Sequence, residues 1–160
     1  MTEADLPRVA EIAAACYPQH FEDVSVFAER LRLYPAGCLA LATSVGGVQG
    51  YILSYPWVAD YAPPLNSLLG RLPEAASVYY LHDLAVAPPA RGRGQARAGL
   101  EALVDGLHGF AMMTLVSVND TVGFWEHLGF VVRRTADLDR RLASYGSDAR
   151  FMERALTPGA

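Results

Sequence analysis

Two polar residues interrupt an otherwise apolar stretch, Val78-Tyr79-Tyr80-Leu81-His82-Asp83-Leu84-Ala85-Val86, which stops at Pro88-Pro89. Aromatic and aliphatic composition with a proline stop reads as a strand buried on both faces. A buried ionisable group without a partner is costly, so His82 and Asp83 each require one. Strand alternation sends the two to opposite faces unless a bulge intervenes, and groups Tyr80, His82, Leu84 and Val86 on one face. His82 is the better proton acceptor, because an unperturbed imidazole titrates near neutral pH. A core histidine bonded to backbone is the competing reading. Asp83 reads as structural, fixing the strand or orienting a loop.

The stretch Arg91-Gly92-Arg93-Gly94-Gln95-Ala96 follows. Beyond it Ala96, Leu100, Leu103, Val104 and Leu107 fall on one helical face, so the glycine-bearing turn opens a helix. A helix start presents unpaired N–H groups and a positive dipole end, and glycines admit a ligand's close approach. That combination suits an anion such as a pyrophosphate, and Arg91 and Arg93 add forked donors. A tight turn without a ligand would use the same residues. The Walker A pattern is excluded because no Gly-Lys-Ser/Thr follows, and the dinucleotide fingerprint because its third glycine is missing.

Arg91, Gly94 and Ala96 fit the pattern Gln/Arg-x-x-Gly-x-Gly/Ala, preceded by Leu84-Ala85-Val86-x-Pro88. Downstream, Asn119 is followed by Phe124-Trp125-Glu126-His127-Leu128-Gly129-Phe130. With both segments in this order, the chain resembles the GNAT (GCN5-related) N-acetyltransferases over roughly residues 3 to 156. The family's own second segment reads Asn…Phe-Tyr-Glu-Lys-Leu-Gly-Phe. The resemblance implies an α/β fold: a mixed twisted sheet with helices on both faces, the acyl-CoA N-acyltransferase arrangement, in one domain over residues 1–160. It also implies acetyl-CoA as co-substrate. Residues Arg91, Gly92, Arg93, Gly94, Gln95 and Ala96 would hold the pyrophosphate. Backbone groups of Leu84, Ala85 and Val86 would hold the pantetheine arm and polarise the thioester carbonyl.

Asn119 resembles the asparagine that contacts this arm, although an Asn at a strand-to-helix junction is also an ordinary N-cap. Trp125 stands on the cofactor side where many members carry a tyrosine that protonates the leaving thiolate. An indole N–H donates a hydrogen bond but is no practical acid. Three readings stay open. Tyr145 first, or Tyr80, takes the tyrosine's part; the thiolate leaves without an acid, a free thiol having a pKa of about 8.5; or activity is lost. His82 falls where several GNAT enzymes carry Asp or Glu, and is the expected base. The expected reaction is acetyl transfer from acetyl-CoA to a primary amine by direct attack in a ternary complex. No activated Cys or Ser argues for a covalent intermediate. The alternatives are a catalytically silent acyl-CoA sensor and a GNAT-like interaction domain without cofactor.

Several elements must position these residues. A helix is expected over Thr2 to Cys16, with Leu6, Val9, Ile12, Ala13 and Cys16 inward and Pro18 beyond its end. Another is expected over Val24 to Tyr34. In the resembling family this pair and its linker (Tyr17 to Asp23) wall the acceptor site. Members usually begin with a short strand, for which Met1 leaves almost no room: a misplaced gene start and a lost edge strand both fit. Cys38 to Ser44 and Val48 to Trp57 read as strands joined by a hairpin at Gly46-Gly47. The long connector Ala59 to Ala76 is expected to overhang the acceptor side, where Asp60 and Tyr61 could touch substrate. Strands are expected at Ala111 to Val118, Phe130 to Thr135 and Arg150 to Ala155. A helix is expected over Thr121 to Leu128, capped by Gly129, with Phe124, Leu128 and Phe130 in the core.

Composition narrows the classes further. The 160 residues are 52% hydrophobic, enough for one core and too apolar for disorder. No apolar run is long enough to span a bilayer and no signal segment opens the chain, so a cytoplasmic protein is expected, away from membranes. Net charge is −4, with 13 basic and 17 acidic residues and no basic stripe, which argues against nucleic acid. Cys16 and Cys38 lack metal or redox spacing and read as reduced, buried small hydrophobes. The four histidines are scattered, so no metal is expected. The acceptor, a small-molecule or peptide amine, is left open, as is oligomeric state, a homodimer included.

Overall fold

Apolar spacing and capping fix the first helices. In the computed structural model, which describes residues 1–42 and 47–156 apart from the side chains of 143 and 144, a 3₁₀ turn leads into α1 (Leu6–Cys16). Leu6, Val9, Ile12 and Ala13 are buried on its inner face, and the half-buried Cys16 packs at the margin. Burying one such Leu or Ile contributes about 1.5–3 kcal/mol. The second helix, α2 (Val24–Leu33), starts where Asp23 accepts a hydrogen bond from Ser25 N at 2.9 Å.

Strands β1 (Cys38–Ala42), β2 (Val48–Trp57) and β3 (Val78–Val86) form an antiparallel run. Residues 43–46, with the end of the expected first strand and Gly46 of the expected hairpin, lie outside the described residues. After β3 come α3 (Gln95–Asp105), β4 (Met112–Ser117), the short α4 (Val122–Glu126), β5 (Val131–Val132), α5 (Ala136–Arg141) and β6 (Arg150–Ala155). The six strands make one mixed sheet in the order β1-β2-β3-β4-β6-β5. One face packs against α1, α2 and α5, the other against α3 and α4. The expected α/β fold with helices on both faces is therefore present. No strand precedes α1 among the described residues; the Met1 ammonium donates to Cys38 O on β1 at 3.1 Å.

Three local expectations need correction. Phe124 is 42% exposed, not core, because α4 is barely more than a turn and turns that side chain outward. The strand after Gly129 is only Val131–Val132, since its pairing with β6 ends there. The polar segment beyond it holds a helix, α5, whose N-cap Thr135 Oγ1 accepts from Leu138 N at 3.1 Å.

Two irregularities shape the centre. Leu53 pairs with Asp83 but Ser54 pairs with Leu81, so His82 is an extra residue on β3, a β-bulge. The bulge resets the alternation: Tyr80, His82, Asp83 and Ala85 serve the α1–α2 face, while Leu81 and Leu84 join the α3 face. The expected grouping of His82 with Leu84 and Val86 fails for this reason. The second irregularity is that β3 pairs with β4 only at Tyr79–Met113 and Tyr80–Thr114. Beyond Tyr80 the strands diverge and leave a gap in the sheet.

Candidate active site

A cavity of about 430 Å³ occupies that gap and passes through the sheet. Its α1–α2 side is walled by Ala13, Phe21, Glu22 and Phe27, and its α4 side by Thr121, Phe124 and Trp125. Leu81, His82, Asp83 and Leu84 lie between. The bulge is what brings both His82 and Asp83 to this space.

His82 is enclosed, its side chain 3% exposed. Its Nε2 lies 3.0 Å from Glu22 Oε2 and its Nδ1 3.2 Å from the Tyr55 hydroxyl. A carboxylate only accepts, so Nε2 carries the proton; in the neutral ring Nδ1 is the lone-pair site and Tyr55 donates to it. Glu22 comes from the α1–α2 linker and also accepts from Asn66 N at 3.1 Å. Burial pushes its carboxyl up, but the charge and hydrogen bond of His82 outweigh that, and its pKa lies below the ordinary value.

Asp83 accepts a short hydrogen bond from the Tyr51 hydroxyl. Burial raises its pKa to about 6, against the opposing pull of Tyr51 and His82. Asp83 ties β3 to β2 through Tyr51, as a structural residue would, and also lines the cavity. The missing signal was the bulge, which no spacing rule reveals. Glu22, also singled out by neither motif, could have been found only through its place in the linker.

The connector over 58–77 packs on the α1–α2 side and brings Leu65 to the cavity. Leu69 N and Gly70 N donate to Glu29 at 2.7 and 2.9 Å, Arg30 Nη2 donates to Ser67 O at 2.8 Å, and Asp23 N donates to Asn66 Oδ1 at 2.8 Å. Asp60 and Tyr61 do not reach the cavity: Asp60 pairs with Arg133 at 2.9 Å, and Tyr61 stacks on Trp57.

The tyrosines expected near the leaving group are firmly held. Tyr145 lines the cavity, but its hydroxyl donates to Pro63 O, and burial raises its pKa. Tyr80 is also buried, with a pKa pushed well up. Tyr17, unnoticed in the sequence, donates from its hydroxyl to Leu84 O at 2.7 Å. Trp125 is buried against Phe130 and borders the cavity on the α4 side.

The glycine-bearing turn lies past the end of β3. Gly92 and Gly94 hold φ of 79° and 73°, the left-handed region, and a Cβ at either would meet open space. The first helical bond of α3 runs from Ala98 N to Gly94 O at 3.0 Å, so the amides of Gln95, Ala96 and Arg97 precede it. These features fit a phosphate group. Arg93 is exposed, and Arg91 donates to Val86 O at 3.0 Å and lies 3.1 Å from Cys16 Sγ.

On β3 the Ala87 amide donates to Gln49 O on β2. Period two therefore turns Ala85's backbone toward β2 and those of Leu84 and Val86 toward the open edge. At that edge the carbonyls of Leu84 and Val86 accept from Tyr17 and Arg91. Asn119, with φ of 55°, places Nδ2 3.5 Å from Cys16 O; the cap of α4 is Thr121 instead. Both cysteines are free, and burial pushes the Cys38 thiol up to about 11. Among the described residues no cluster of three or more His, Cys, Asp and Glu could hold a metal ion, and no helix is long and apolar enough to cross a membrane.

A fold with a splayed mixed sheet and this turn defines a class, and comparison with known proteins gives the same one. Residues 6–130 match the Acetyltransferase (GNAT) family, and the chain belongs to it. Among curated proteins no sequence matches. Solved structures share the fold at low identity. A GNAT-like decarboxylase, GphF, in complex with isobutyryl-CoA is 16% identical, with a TM-score of 0.79 over 98% of this chain and 97% of that one. The loading GNATL domain of CurA from Lyngbya majuscula is 12% identical, with a TM-score of 0.76 over 96% and 94%. Ard1 from Thermoplasma volcanium is 16% identical, with a TM-score of 0.72 over 98% and 95%.

Proposed function

We propose that the protein transfers an acetyl group from acetyl-CoA to a primary amine by direct attack in a ternary complex. The observation that carries this reading is the cavity through the splayed sheet. It joins the α4 side, beside Trp125, to the α1–α2 side, with His82 and Glu22 at the junction. Two reactants entering from opposite faces would meet there, which is the proximity a bimolecular acyl transfer needs.

The turn from Arg91 to Ala96 binds the pyrophosphate through backbone amides and the arginines. Leu84 and Val86 orient the arm from the open edge of β3. Asn119 and Trp125 border it on the far side. The bound coenzyme supplies a thioester, whose carbonyl carbon gains the amine nitrogen as its C–S bond breaks and the thiolate departs. His82 receives the amine's proton at Nδ1, directly or through one water, once the Tyr55 hydroxyl has rotated its proton off that lone pair. Glu22, 3.0 Å from Nε2, stabilises the imidazolium so formed. Tyr145 and Tyr80 are assigned to the cavity wall, because a phenol with a raised pKa is a poor acid toward a thiolate. The thiolate leaves as the anion.

Thermal unfolding with and without CoA or acetyl-CoA tests the binding half: ligand at a hundredfold its Kd should stabilise the protein by about 2.7 kcal/mol. Thiol release across an amine panel tests the transfer half. An unmoved Tm with both coenzymes rejects the reading; tight binding without turnover of any amine would favour a sensor.

A further inference from the structure

The α1–α2 side of the cavity also specifies the kind of amine it takes. We infer, resting on the acyl-transfer reading above, that the acceptor is a small monoamine with an apolar body, aromatic or branched aliphatic. The surfaces facing this half come from Ala10, Ala13, Ala14, Val24, Phe27 and Leu65, with Phe21 at the entrance. Phe21 is 65% exposed and Val24 45% exposed, so the lip as well as the wall is apolar. A cavity of about 430 Å³ suits a small molecule.

The inventory of charge around it disfavours amines that carry a carboxylate or a second ammonium. No arginine lines the cavity and the chain contains no lysine. An amino acid or acidic antibiotic would therefore bury its carboxylate without a cation to meet it. The carboxylates present are committed. Glu22 is taken by His82 and Asn66 N, Asp83 by Tyr51, and Asp23 by Ser25 N at the start of α2. None stands unpartnered as a ready second anchor for a diamine or polyamine. His20 also lines this half; its Nε2 donates to Tyr145 O at 2.8 Å, and its Nδ1 has no hydrogen-bond partner. A polar end near His82 and Asp83 and a mostly apolar enclosure, with His20 as its main further polar group, match one amino group on a hydrocarbon body.

Matched acceptors isolate each element. 2-Phenylethylamine and L-phenylalanine differ by a carboxylate; isoamylamine and 1,4-diaminobutane differ by a second ammonium. With acetyl-CoA and thiol release as readout, the apolar member of each pair should have the larger kcat/KM, by roughly a hundredfold, since an unpaired charge is costlier to bury than the 10–200-fold worth of one methylene. Phe21→Ala, at an exposed position that leaves the fold intact, should raise KM for 2-phenylethylamine about tenfold with little change in kcat. Titration of each amine into the CoA-loaded protein is run alongside. Preference for phenylalanine, the diamine or a peptide amine overturns the acceptor assignment and leaves acyl transfer standing. Binding of 2-phenylethylamine but not phenylalanine, without turnover, keeps the acceptor assignment and sinks the transfer. If no amine binds or reacts while CoA binds, the acceptor assignment is overturned.

Discussion

The proposed coenzyme and acceptor sites are built in opposite ways. The proposed coenzyme site is a contiguous, largely exposed turn past the end of β3, Arg91 to Ala96, with free backbone amides and two left-handed glycines. The proposed acceptor site is a buried side-chain network gathered from the α1–α2 linker, β2, β3 and the connector, running Asn66–Glu22–His82–Tyr55 with Asp83 and Tyr51 beside it. A contiguous backbone device tolerates replacement of most side chains. A dispersed network depends on each member, because removing one leaves another buried and unpaired. The coenzyme end should therefore respond to changes in backbone conformation, and the acceptor end to changes in side-chain chemistry.

The largest effect is expected at the network's centre. His82→Ala removes the proton acceptor and should lower kcat by 10²–10⁴-fold, measured by thiol release, with the Kd for CoA unchanged. An equal loss in CoA affinity would mean that the two ends are not separable.

Asp83→Asn is the next largest and acts on stability. The folded-state pKa of Asp83, about 6, lies above the ordinary 3.8, so its protonated form is favoured by the fold. That contribution is full below the ordinary value and is lost as pH rises through about 6. At pH 8 the charged carboxylate costs up to about 3 kcal/mol, at 1.36 kcal/mol per unit. Asparagine keeps an acceptor for Tyr51 and carries no charge. The variant should melt above the parent at pH 8, with the gain gone by pH 4. A gain independent of pH would show that the carboxylate is not desolvated as its surroundings indicate.

The same contrast governs what the sequence discloses. The limits of β3 and β6, the start of α2 and the turn before α3 follow from apolar runs, proline stops and glycines, all local signals. The coenzyme end is local too, so its motif and the family could be recognised. The acceptor end depends on the extra residue at His82, which turns Asp83 to the cavity and frees Leu84 for the α3 side. Nothing in the sequence Leu-His-Asp-Leu distinguishes a bulge from regular alternation, because register is set by the partner strand. The Glu22–His82 pair joins residues 60 positions apart, and no spacing rule reaches that far. Helix α5 escaped for another reason: six residues with one buried side chain, Leu138, leave no periodicity to read, and its Thr135 cap becomes evident only once the helix is known.

A smaller effect is expected at the coenzyme end. Gly94→Val places a β-branched residue at φ of 73°, where a Cβ meets nothing but the backbone is strained. The cost of about 1–2 kcal/mol for a left-handed L-residue should displace the amides that follow and weaken CoA binding about tenfold. Gly94→Ala should weaken it less, and kcat at saturating coenzyme should hold in both. A fall in kcat at unchanged Kd would place the turn in the chemistry and erase the contrast.

The smallest effect is expected at Tyr145, and there the outcome decides between two chemistries. Its hydroxyl is committed to Pro63 O and its pKa is raised, whereas the departing thiol has a pKa of about 8.5 and is tolerable as an anion. Tyr145→Phe should keep kcat within about threefold of the parent, because the lost step is worth little where no proton is needed. It should lower Tm slightly, since Pro63 O loses its donor and the connector is held by one contact fewer. The measurement is kcat for the preferred amine at saturating acetyl-CoA, across pH 6 to 9. A drop of a hundredfold or more that eases as pH falls would restore Tyr145 as the acid that Trp125 cannot be. In that case the acceptor end would also serve the leaving group, and the division between the two sites would fail at this residue.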